Sequence, residues 1–242
     1  MKRFLGVFVG ALLISGTASA YDGELLMADT SDPLYMLEQE HLLSTSDISY
    51  GNDLLRLGQG FSYGLNSRLS VETNVHYQFD FVDARRERGF SSIELGGVYR
   101  AGVPDNNSAN ISTDVLFGAK VGGNRHVREP GFAKSTYFAG VRVGRQWAGV
   151  SLAGTVKSTW VFDDLRGMSF IDFVPEAYFR MIDGWRLGVG FDIRVATNPA
   201  YDREWMNLRV VRQFGRTQYG AKYSYEYEKE DSTVGLYLNI LF

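Results

Sequence analysis

Three histidines and no cysteine are all that the 242 residues offer for imidazole or thiol chemistry. The missing cysteine excludes a disulfide framework and a thiolate nucleophile, and it removes the commonest structural zinc ligand. His76 shares an every-second-residue line with Glu72 and Asp80, and carboxylates with imidazole make a competent metal donor set. On an extended strand, however, residues four apart stand roughly 13 Å from each other, too far to hold one ion. Nucleophilic catalysis fares no better, because it needs nucleophile, base and orienting group within hydrogen-bond reach. Val75-His76-Tyr77-Gln78 puts no serine beside His76, and His41 stands three residues before Ser44, which on a strand means the opposite face. His126 lies in a charged stretch. The expectation is no catalytic residue, no metal and no cofactor.

What remains is charge, and its meaning depends on the elements that carry it. Residues 1–20 read as a cleavable export peptide: Lys2 and Arg3 are followed by an apolar run over 4–14, and Ala18-Ser19-Ala20 supplies the small residues of a cleavage site. The run is too short to span a bilayer as a helix. Without Lys2 and Arg3 the chain keeps 23 basic and 28 acidic residues, a net charge of −5, which argues against a nucleic-acid partner. Residues 21–33 then form an N-terminal segment, expected in the periplasm, and 34–242 the folded body.

That body alternates with a period of two. From Leu69 to Phe81 the odd positions are Leu, Val, Thr, Val, Tyr, Phe, Phe and the even ones Ser, Glu, Asn, His, Gln, Asp. The stretches 185–196 and 217–228 behave likewise. A helix would scatter these residues around its circumference, so they are strands. The same rule predicts twelve, over 34–45, 53–64, 69–82, 90–101, 111–122, 135–146, 149–162, 168–182, 185–196, 203–214, 217–228 and 232–242. With 27 glycines, 14 tyrosines and five prolines, and no apolar helix after residue 20, the fold class is all-β: a transmembrane antiparallel barrel, whose closure satisfies every backbone N–H and C=O in lipid. An even strand count puts both termini at the periplasmic side. Aromatic residues near the strand ends, Tyr77, Phe79, Tyr137, Trp160, Tyr225 and Tyr227 at one end and Tyr63, Trp147, Trp185, Phe214 and Tyr219 at the other, suit two interfacial belts.

The last strand sets Val234, Leu236, Leu238, Ile240 and Phe242 against Gly235, Tyr237, Asn239 and Leu241, and Phe242 is the final residue. This tail resembles that of Gram-negative outer-membrane proteins inserted by the β-barrel assembly machinery. The resemblance implies an outer-membrane location, Phe242 as the assembly signal, and the assembly machinery and outer-membrane lipid as partners. Tyr63-Gly64-Leu65-Asn66-Ser67-Arg68-Leu69-Ser70-Val71-Glu72 resembles the strand–turn–strand phrase of the phenol meta-pathway type, a porin-like group, and implies transport. The His-x-Ser spacing of outer-membrane phospholipases is absent.

On this strand phase the lumen divides by sign. The first five strands point Glu38, Glu40, Glu72, Asp80, Glu94 and Asp114 inward with Arg56, Arg100 and Lys120. Strands six to eleven point Arg142, Lys157, Arg180, Arg186, Arg194, Arg209 and Lys222 inward with Asp172, Glu176, Asp192 and Glu226. An acidic wall facing a basic one creates a transverse field across a water-filled constriction. The expected function is a narrow porin-like channel for small polar solutes. The alternatives are a closed structural or adhesion barrel, in which these charges pair and plug the lumen, and an outer-membrane lipid-modifying enzyme. Arg85, Arg86, Arg88, Arg125 and Arg128 cluster in two external loops and suit lipopolysaccharide phosphates.

Overall fold

The computed structural model describes residues 29–81, 88–102, 111–122, 135–147, 149–162, 168–199 and 202–242. The export peptide assigned to 1–20 lies outside them. Twelve strands run β1 (Leu42–Gly51), β2 (Leu54–Asn66), β3 (Leu69–Asp80), β4 (Arg88–Gly102), β5 (Ile111–Gly122), β6 (Thr136–Gln146), β7 (Val150–Val161), β8 (Ser169–Arg180), β9 (Trp185–Ala196), β10 (Arg203–Phe214), β11 (Thr217–Glu226) and β12 (Asp231–Leu241). Each pairs antiparallel with its sequence neighbours, and β1 pairs with β12 to close the barrel. The seam is extended by Leu42 and Phe242, each donating its backbone N–H to the other's carbonyl at 3.3 and 2.8 Å.

Eleven strands coincide with the predicted ones to within a few residues. The first does not. Residues 34–41 belong to no strand, and the predicted loop over 46–52 is mostly strand, ending in a two-residue turn with Asn52 and Asp53 at φ of 47° and 57°. The misreading has a physical cause. β1 faces outward with Leu42, Ser44, Ser46, Ile48 and Tyr50, so its apolar face is interrupted by two serines. They are satisfied on the outer wall itself, with Ser46 Oγ donating to Gln59 Oε1 at 2.7 Å and Gln59 Nε2 donating to Ser44 Oγ at 3.1 Å. Leu34 and Leu37, within the predicted strand 34–45, are buried in the interior instead.

The tight hairpin predicted at Asp183-Gly184 is present, both residues left-handed at φ of 55° and 73° as such turns require. Pro175 sits on the outer face of β8 and has no N–H to give; pairing with β9 skips it, from Phe173↔Ile193 to Glu176↔Gly190, without changing register.

The core is inverted relative to a soluble domain. Among the described residues the buried set holds ten hydrophobic but twenty polar or charged side chains, while Leu95, Val121 and Val195 on the outer wall are 59%, 59% and 61% exposed. Aromatic pairs rim this wall. Tyr137 stacks on Trp160 at 5.1 Å and meets Phe162 at 4.9 Å at the end away from the chain termini. At the terminal end Phe214 stacks on Tyr219 at 5.5 Å, and Arg145 and Arg212 lie over Trp147 and Trp185 at 4.9 and 5.1 Å. An apolar wall between aromatic rims around a polar interior is the pattern of a transmembrane barrel.

Candidate functional site

The lumen holds three tiers of charge, the first built around a segment that belongs to no strand. Residues 29–41 enter the terminal-end mouth. Asp32 turns the chain, accepting from the Leu34 N–H at 2.8 Å through Oδ1, and the Tyr35 N–H reaches the Asp32 carbonyl at 3.0 Å. Asp32 Oδ2 also takes hydrogen bonds from Ser151 Oγ (2.5 Å), Gln146 Nε2 (3.2 Å) and Arg180 Nη2. Asp29 accepts from the Tyr178 hydroxyl (2.6 Å), Gln218 Nε2 (3.0 Å) and Arg186 Nε (3.0 Å), and Arg180 Nε lies 3.4 Å away. The hydroxyls of Thr30 and Ser31 both donate to Gln218 Oε1 at 2.7 Å, and Arg100 Nη2 donates to the Leu34 carbonyl at 2.8 Å. Contacts to β4, β6, β7, β8, β9 and β11 mean that the segment crosses the mouth from wall to wall. Further along, Gly64 on β2 makes room for its return: any Cβ there would collide with the Glu38 carbonyl.

Above it lies the middle tier. Asp114 is fully buried between two arginines, taking Arg100 Nε at 2.8 Å and Arg142 Nη2 at 2.7 Å. Glu176 accepts from Arg209 at 2.7 Å, and Asp47 pairs with Lys222 at 3.1 Å. Two adjoining cavities of about 260 and 290 Å³ occupy this level and share Glu72, Arg142 and Glu176 in their walls. The distal tier centres on Asp172, which meets Arg194 at 2.6 Å and Lys157 at 3.7 Å, while the Arg194 guanidinium covers the Phe170 ring at 4.0 Å. Arg203 bridges to Glu226 at 2.9 Å nearby.

The sequence-predicted lumen residues fall as follows. Arg142, Lys157, Arg180, Arg186, Arg194, Arg209 and Lys222 project into the lumen, as do Glu72, Asp80, Glu94 and Asp114. Glu38 and Glu40 do not belong to this wall. They precede β1, Glu38 carries a 76% exposed side chain, and Glu40 adopts a left-handed φ of 64° where the segment bends back. The walls also do not stand as two uncompensated sheets: most charges are already paired along or between adjacent strands. Arg88 opens β4 at the distal end and is exposed, whereas Arg85, Arg86, Arg125 and Arg128 lie outside the described residues.

The residues missed from sequence are Asp29, Asp32, Tyr178 and Gln218. One signal pointed to the first two. Arg180 and Arg186 stand directly opposite in the β8–β9 register, and two guanidiniums facing each other in a lumen require acids from elsewhere.

Among the described residues no group of three or more His, Asp or Glu side chains is arranged to hold a metal ion. No protein family matches the sequence, and no curated protein matches it either. By fold the chain is similar to the KdgM porin (TM-score 0.61, 8% identity, covering 82% of this chain and 98% of that one). It is also similar to the NanC porin (TM-score 0.62, 7% identity, 82% and 98% covered). The COG4313 outer membrane channel from Pseudomonas putida F1 matches over 93% of this chain and all of that one, at TM-score 0.61 and 9% identity. At such identities the likeness is one of fold: this chain shares the closed antiparallel barrel of these porins and channels.

Proposed function

We propose that the chain is a narrow porin-like channel of the Gram-negative outer membrane, passing small polar solutes. The observation that carries this reading is a charged, cavity-containing lumen inside a closed barrel whose outer wall is apolar. Such an outer wall is stable only against lipid, and such a lumen only against water. The fold it shares with porins and the porin-like phrase at 63–72 support the same reading. Both termini then lie on the periplasmic side, residues 1–20 serve as the export peptide, and Phe242 is the residue read by the assembly machinery. The external arginines at 85, 86, 88, 125 and 128 meet lipopolysaccharide phosphate.

Residues 29–41 lie across the periplasmic mouth of this channel, bonded to its walls through Asp29, Thr30, Ser31, Asp32 and Leu34. Their seating favours one second reading, a barrel closed for structural purposes. Single-channel conductance of the refolded chain separates the two. A small, ohmic conductance that rises in the Asp29→Asn/Asp32→Asn variant is expected of the channel; no conductance in either protein assigns the closed barrel.

A further inference from the structure

The middle of the lumen has a charge arrangement that its own ion pairs do not use up. Asp114 is shared by Arg100 and Arg142, and Asp172 by Arg194 and Lys157. Asp114 carries one negative charge against two positive ones, so one surplus positive charge remains there, whereas the neighbouring Asp192 balances the second base at Asp172; Arg142 and Lys157 bring the basic groups of both sites to the wall of the 260 Å³ cavity. Across that cavity, Glu72 and Glu94 line the same space. They sit diagonally on β3 and β4, where Glu72 pairs with Gly96 and Asn74 with Glu94. Among the described residues neither carboxylate forms a hydrogen bond or ion pair. Lys120 neighbours Glu94 in the ladder but does not line the cavity.

Two unbonded acids thus face two bases, Arg142 and Lys157, with open space between. In water-filled lumen of this kind, opposite charges held apart by rigid strands produce a directed field, and the solute that gains most from it carries both signs. The floor between them is apolar, formed by Leu116, Phe138 and Val174. Residues 29–41 line the lower cavity through Ser31, Pro33 and Tyr35, so a solute arriving from the distal end reaches this tier before the segment.

We infer that the mid-lumen chamber is a binding site for a small zwitterion with an apolar body, of the α-amino-acid type. Its ammonium lies on Glu72 and Glu94, its carboxylate on Lys157 and Arg142, and its side chain on the Phe138 floor. Both charged ends are needed, because a cation alone meets the bases and an anion alone the acids. This deepens the channel reading and names its solute class.

The test is calorimetric titration of the refolded full chain in detergent micelles with leucine, leucine methyl ester (cation only) and N-acetyl-leucine (anion only). Leucine is expected to bind at least tenfold more tightly than either derivative. In Glu72→Gln/Glu94→Gln the leucine preference should vanish, with the heat-modifiable folded band unchanged. Equal binding of all three ligands by the wild type, or no leucine binding at all, overturns the proposal; so does an unchanged preference in a folded double variant. Should that variant not fold, the comparison of the three ligands on wild type decides alone. Because the measurement does not involve conduction, leucine binding by a protein that passes no current would keep the site and overturn the channel.

Discussion

Arg186 on β9 and Asp29 in the N-terminal segment, 157 residues apart in the chain, meet inside the barrel at 3.0 Å. Their side chains are only 13% and 9% exposed, and Arg180 approaches the same carboxylate at 3.4 Å. The contact makes an element outside the sheet part of the lumen's electrostatics.

Neutralising both acids of the segment should therefore release it. In Asp29→Asn/Asp32→Asn, Arg180 and Arg186 face each other without a counter-charge. A buried charge left alone costs about 3–5 kcal/mol, and lumenal water will reduce that toward the lower figure. The expected outcome is a lower urea midpoint on unboiled gels together with a conductance above wild type. Unchanged conductance with the segment still protected from protease would contradict its seating by these two acids.

Gly64→Ala addresses the same segment without touching a charge. The added methyl meets the Glu38 carbonyl rather than any ladder partner, so residues 37–40 must move while β2–β3 pairing persists. Overpacking of this sort costs about 1–3 kcal/mol. Limited proteolysis should cut the N-terminal segment faster in this variant, with the barrel itself intact.

Val189→Arg probes the outer wall. Val189 pairs with Ala177 and Leu208 on flanking strands and faces outward near the middle of β9. An arginine there should destabilise by about 2–4 kcal/mol in lipid. Refolding into vesicles with a denaturant titration measures it, and a cost near zero would mean that this face does not meet lipid.

Deleting Phe242 removes both backbone hydrogen bonds to Leu42 that extend the β1–β12 seam, as well as the side chain proposed as the assembly signal. The folded, heat-modifiable fraction in cells should fall sharply. Refolding of the same variant from urea in vitro separates the causes: a normal yield there assigns the loss to assembly rather than to the seam.

The barrel was legible in the sequence because period-two alternation is a local property. Each strand reports its own lipid and lumen faces, as Leu69–Asp80 does residue by residue, and antiparallel neighbours follow from short connections. The same locality explains the one strand misplaced. β1 carries Ser44 and Ser46 outward, and the Gln59 amide that makes this tolerable lies on another strand, invisible to a pattern read along one. Inward charge was legible too, since strand phase alone assigns Arg142, Lys157, Arg180 and Glu72 to the lumen. Which charges are used up in pairs and which remain was not. That depends on register between strands, which puts Asp114 between Arg100 and Arg142, and on where an irregular segment goes. Nothing periodic marks residues 29–41; their position is set by Asp29 and Asp32 finding arginines that the closed barrel gathers from β8 and β9. Alternation by itself determined the wall of this protein, and only closure of the wall decided what its interior holds, because electrostatic partners are chosen by distance in space and not by distance along the chain.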